Sequence, residues 1–231
     1  VSGWLVGLPF TSAPIAFFLA RDHGLAFAAT AAAGVMAGTI SQAAFCVAYA
    51  WPAVARGAGW PSAMAAGGLA FGLATAALLP MTLPLPALAA LILGGLVAAA
   101  RLMPPARPPA GGGRRRPPWD LPARIVVATA LVLGLTALAD VLGARLTGLL
   151  APFPLYAAIL AVFAHVLEGA EAAASVLRGL LLGLVSFAGF FLVLASALVG
   201  AGIGPAFTAA LAVALAVQGA SLWLLRRRTA A

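Results

Sequence analysis

The chain has no lysine and no asparagine, holds one cysteine, and carries charge on only 8% of its 231 residues. Soluble domains are about 25% charged, so a chain this poor in charge cannot cover a surface facing water. A single cysteine, Cys46, excludes both an internal disulfide and a cysteine zinc site. Two histidines and five carboxylates leave little acid-base equipment for hydrolysis or phosphoryl transfer. No His/Glu pair has metal-ligand spacing on a helix, and there is no GxSxG, no Cys/His arrangement and no phosphate loop. The reading is therefore of a protein that is not an enzyme, with no catalytic residue, no metal and no cofactor implied.

What is present points to a bilayer. Hydrophobic residues make up 64% of the chain, and the mean hydropathy is +1.12. The expectation is an all-α, polytopic membrane protein. A spanning helix needs about 20 apolar residues, and eight stretches qualify: 3–20, 27–50, 61–79, 85–103, 123–142, 146–165, 173–198 and 205–225, with ends placed to about four residues. Residues 104–121, PPARPPAGGGRRRPPWDL, form the one long polar interruption, and their Pro, Gly and Arg content suits a linker. They separate a first repeat over 1–103 from a second over 122–231.

The net charge of +8 comes from thirteen arginines. A soluble basic domain could spend such an excess on nucleic acid, but here it lies between and after apolar spans, as orientation signals do, and nucleic acid is not an expected partner. With the linker cytoplasmic and the spans alternating, eleven arginines fall inside and two, Arg21 and Arg145, outside. The same placement brings all five tryptophans to or near the inner face and makes the C-terminus cytoplasmic. Much Ala and Arg beside no Lys suggests a GC-rich bacterial genome, hence the bacterial inner membrane.

An internal repeat organises the chain. Residues 3–50 align without gaps on residues 148–195, with fifteen identities in 48 positions, where this composition would give about six by chance. Nine of the identities are not alanine, among them Pro9/Pro154, Gly24/Gly169, Gly34/Gly179, Gly38/Gly183, Ser41/Ser186 and Phe45/Phe190. Four spans lie between the span at 3–20 and its partner at 146–165, so the two copies are expected to run in opposite directions. The PMTLPLP turn at 80–86 is the weak point, because a re-entrant hairpin there would reverse the parity. The second copy is preceded by the span at 123–142 and the first is not, so a further N-terminal span, giving nine in the intact protein, is expected.

Each copy carries prolines in mid-span: Pro9 and Pro14 in GLPFTSAP, Pro152 and Pro154 in APFPLY. Proline withholds a backbone donor and clashes with the carbonyl four residues back, which kinks or breaks the span and frees carbonyls. Such groups persist at membrane depth only inside protein or beside a cavity, and paired broken helices at the midplane are where inverted-repeat transporters bind substrate. Thr11, Ser12 and Tyr156 are the nearest hydroxyls. A plain structural kink is the competing explanation. The GxxxG pairs Gly34/Gly38 and Gly179/Gly183 read first as close helix packing. The amides Gln42 and Gln218, with Ser41 and Ser186, either line a pathway or bond a neighbouring helix. Arg178, about one turn into its span, either snorkels inward or attracts an anion, and Asp140 is the one carboxylate placed for proton coupling. His165, Glu168 and Glu171 read as solvated groups of an inner loop.

The order G-L-P-x-T-S-x-P, then GxxxGxxS, with a second half reading G-L-L-A-P-F-P, resembles uncharacterised multi-spanning bacterial inner-membrane proteins of an inverted-repeat, transporter-like type. That resemblance implies the membrane class without assigning a substrate. The functional expectation is a secondary transporter or exporter of a small neutral, amphipathic or lipid-like solute, worked by alternating access of two inverted halves. The alternative is a non-transporting membrane scaffold or assembly partner, with a membrane-embedded enzyme third. The partners expected are the lipid bilayer and an unknown small solute, with a homo-oligomer allowed.

Overall fold

The structure, a computed structural model, describes residues 9, 12–105, 122, 126 and 155–229. These residues form helices and no strand: α1 Ser12–Asp22, α2 Leu25–Arg56, α3 Trp60–Leu78, α4 Leu85–Leu102, α5 Leu155–Glu168, α6 Ala170–Ala201 and α7 Ile203–Thr229. Five are long and apolar enough to cross a bilayer: α2, α3, α4, α6 and residues 203–221 of α7. An all-helical multi-pass membrane protein accounts for this and for the surface. Leu69, Leu73, Leu93 and Leu215 stand more than half exposed, which suits hydrocarbon and would be a liability in water.

Glycine sets the helix boundaries. Four glycines have positive φ, at 89° for Gly24, 63° for Gly57, 96° for Gly169 and 79° for Gly202, and no other described residue does. A side chain there would strain the backbone. They bracket α2 and α6, which are both 32 residues long. The four fall into two pairs, Gly24 with Gly169 and Gly57 with Gly202, at the same spacing of 145 that aligns the two sequence copies. The pairing at Gly57 and Gly202 lies beyond the aligned stretch. Proline opens the shorter helices: Pro61 and Pro86 sit in the first turns of α3 and α4, where the missing N–H has no intrahelical partner to lose.

α2 and α6 form the centre. Half of the apolar window of α6 and 39% of that of α2 is buried, against 17% in α3 and 22% in α4 and α7. The two long helices pack most extensively on each other, α3 packs on α2, and α7 and α5 pack on α6. Bonds near the helix ends fix directions. The Tyr49 hydroxyl meets His165 Nδ1 at 3.2 Å, the Trp51 indole N–H donates to the Leu102 carbonyl, and the Arg178 guanidinium donates to the Pro104 carbonyl. The C-terminal ends of α2, α4 and α5 therefore gather beside the first turns of α6, and α2 and α6 run antiparallel. This end carries Arg56, Arg101 and Arg178, and is called the arginine end below.

α3 starts at the arginine end and α4 finishes there, and their 19 and 18 residues span about 28 Å and 27 Å, close to the roughly 30 Å of hydrocarbon. Each is long and apolar enough to cross by itself, and the PMTLPLP turn joins two separate helices of that length. One expectation is corrected. His165 and Glu168 belong to the last turn of α5 and Glu171 to the first turn of α6, with Gly169 alone between them, so they form no inner loop. The reason is that one positive-φ glycine turns the chain without a polar connection.

The spans expected at 27–50, 61–79, 85–103, 173–198 and 205–225 correspond to α2, α3, α4, α6 and α7. The first span is described from Ser12 and the sixth from Leu155. The span at 123–142 and most of the linker lie outside the described residues. Pro104, the first linker residue, is buried.

Candidate functional site

The residues singled out by the sequence converge on one depth. Counted at about 1.5 Å per residue, Ser41 lies about 22 Å from the arginine end along α2, and Ser186 about 24 Å along α6. Gln218 lies about 22 Å from the start of α7, and Pro9 about 20 Å back from the end of α1, again counted at the helical rise. All four fall near the middle of the two long helices. The Pro9 carbonyl accepts the Ala13 N–H at 2.9 Å, so Pro9 stands at the head of α1 and is buried there. The proline thus starts a helix at mid-depth, and its carbonyl is taken up by that helix. Ser12 and Pro14 follow in the first turn of α1, with Ser12 half-buried and Pro14 exposed.

The equivalent serines do equivalent work. Ser41 is fully buried in α2 and accepts the Thr75 hydroxyl of α3 at 2.8 Å. Ser186 is fully buried in α6 and donates to the Ala214 carbonyl of α7 at 2.8 Å, one turn before Gln218. Each serine therefore ties a long helix to the helix that follows it. The equivalent phenylalanines repeat the pattern. Phe45 lies against Gly67 of α3, where a Cβ would come within 2.9 Å of the ring. Phe190 lies against Phe207 of α7, with ring centroids 6.2 Å apart. A close approach of α2 and α3 occurs at Gly67. A Cβ on exposed Gly34 would meet nothing within 4 Å among the described residues.

Gln42 is half-buried beside Ser41, and Gln218 is buried. With Ser41, Thr75 and Ser186 they make a belt, in the sense of a shared depth along the described helices, of neutral hydrogen-bonding groups. Hydroxyl and amide groups can donate to or accept from other hydroxyl, amide or carbonyl groups, and they carry no charge. Among the described residues no group of three or more His, Cys, Asp or Glu is placed to hold a metal ion. Thr11, Asp140, Pro152 and Pro154 lie outside the described residues, as does the side chain of Tyr156 in α5. Arg178 is half-buried, and its bond to Pro104 turns it toward the arginine end.

Tyr49 is the residue that sequence reasoning missed. It is fully buried, stacks obliquely on Phe45 at 5.9 Å and meets His165 both by hydrogen bond and edge-on, with centroids 6.0 Å apart. The one available signal was chemical: a tyrosine within an apolar span must find a partner for its hydroxyl. No protein family, curated protein or solved structure matches the chain.

Proposed function

We propose that the chain is a secondary transporter or exporter in the bacterial inner membrane, C-terminus cytoplasmic, moving a small neutral, amphipathic or lipid-like solute. In this reading α1–α3 and α5–α7 are inverted copies that alternately expose the mid-depth belt. The observation that carries it is the pairing of α2 with α6: equal length, opposite direction, and positive-φ glycines at both ends at one constant spacing. Duplicated, inverted halves with the site at mid-membrane are a recurring plan of secondary transporters. The neutral belt supports an uncharged or amphipathic cargo.

A second reading, a membrane scaffold built by duplicating a packing unit, is favoured by a different observation. Ser41 and Ser186 are sealed and spend their bonds on neighbouring helices.

Cysteine accessibility separates the two. Single cysteines at Thr11 and Tyr156 should react with a membrane-impermeant thiol reagent from at least one side if the halves alternate. Full protection of both from both sides would favour the scaffold. Reporters at the Gly24 and Gly169 turns should label from opposite faces, and labelling from one face would overturn the inverted arrangement.

A further inference from the structure

A groove of about 400 Å³ lies where α2 ends and α3 begins, lined by Ala48, Trp51, Pro52, Ala55, Arg56 and Ala66. Ala48, Pro52 and Ala55 share one face of α2 at helical spacing, and Ala66 faces them from α3. Small side chains on both walls leave a trough where larger ones would close the contact. Trp51 forms a third wall. Its ring is 46% exposed, yet its N–H is committed to the Leu102 carbonyl at 2.6 Å, which holds the indole in place. Arg56 closes the outer end from the last turn of α2. It is exposed, and among the described residues it has no ion-pair partner. From Arg56 the trough runs inward to Ala48 over about 12 Å of helix.

We propose that this groove binds an anionic phospholipid, with the phosphate on Arg56, the glycerol region against the Trp51 indole, and the start of one acyl chain in the alanine trough. The chemistry matches end for end: a fixed cation at the helix end, an amphipathic ring at headgroup depth, and an apolar channel leading into the hydrocarbon. The groove lies between two helices long and apolar enough to cross a bilayer, where lipid is the molecule at hand. Arginine excess at this end supplies the charge complementarity for an anionic rather than a zwitterionic headgroup. The inference rests on the helices lying in a bilayer and is independent of transport.

The test is native mass spectrometry of the full chain in neutral detergent, offered phosphatidylglycerol and phosphatidylcholine of identical acyl chains. The wild type should retain the anionic lipid about 5-fold more strongly, the preference that one interfacial basic residue supplies. Arg56→Gln should level the two lipids, Arg56→Lys should keep the preference, and Ala66→Phe should lower retention of both. Equal retention by the wild type, or a preference that survives Arg56→Gln, would overturn the proposal. So would displacement of the lipid by inorganic phosphate with retention unchanged in Ala66→Phe, since that marks an anion site with no seat for a chain. Cysteine labelling at Thr11 and Tyr156 is read separately, so failure here leaves the transport reading standing.

Discussion

α2 and α6 agree at their midpoints and at the glycines that bound them, and differ in the side chains near their ends. Around the middle, Ser41 and Ser186 hold the following helix by one hydrogen bond each, and Phe45 and Phe190 fill the contact below. At the arginine end the correspondence stops. Tyr49 stands where the other copy has Leu194, Arg178 where it has Ala33, Trp51 where it has Ser196, and His165 where it has Ala20. The side chains that cross-link α2, α4, α5 and α6 at one end thus have counterparts at the other that cannot make the same bonds. Packing of a long helix on its successor tolerates little change in volume, which keeps the middle alike. Near the ends the two differ: one end is fastened by polar contacts and the other is packed by apolar rings, such as Phe17 on Phe207 at 5.8 Å.

The midpoint equivalence is most exposed at the phenylalanines. Phe45→Ala and Phe190→Ala should each cost about 3–5 kcal/mol, the usual range for emptying a buried aromatic site. Thermal or denaturant unfolding in detergent would show the two losses to be similar, and a large loss at one alone would break the equivalence. Gly67→Leu should come next, at about 1–3 kcal/mol for overpacking. The Phe45 ring can yield, but the Phe45 carbonyl oxygen, 3.2 Å from the new Cβ, cannot.

The asymmetry of the ends is tested at Tyr49. His165→Ala removes the partner of a buried hydroxyl and should cost about 1–3 kcal/mol, while Tyr49→Phe removes the hydroxyl itself and should cost less. A double-mutant cycle should give a coupling of about 0.6 kcal/mol and no more than about 1.7 kcal/mol, the average and the largest value measured for hydrogen bonds between membrane helices. Zero coupling would mean that the two groups do not act together. The smallest effects belong to Ser41→Ala and Ser186→Ala, about 0.6 kcal/mol each. Equal values would sharpen the correspondence of the two middles.

Much of the helical framework was legible before the structure. The apolar runs placed α3 at 61–79 and α4 at 85–103, within a residue of the observed bounds, because hydrophobic length is a local property. The aligned glycines at 24 and 169 were visible too, since only glycine repeats where φ must be positive. The candidate site was legible in part: Ser41, Gln42, Ser186 and Gln218 were named as polar residues within apolar spans. Their common depth depended on the direction of each helix. The bond from Tyr49 to His165 joins residues 116 positions apart, and neither has a periodic neighbour that announces it. The close approach at Gly67 was equally hidden, because Gly34 and Gly38 carry the more familiar spacing.

By itself the sequence determined that this chain has the character of a membrane protein, roughly where its long apolar helices lie, and that two stretches share one pattern. Those follow from composition and from the backbone preferences of glycine and proline, which act within a turn or two. The tertiary structure alone decided that α2 and α6 lie antiparallel at the centre, and which faces they turn to each other. It also decided that one end is bonded together through Tyr49, Trp51 and Arg178. Such pairings depend on how helices rotate and stack against distant partners, and a residue's own neighbours in the chain carry no record of that.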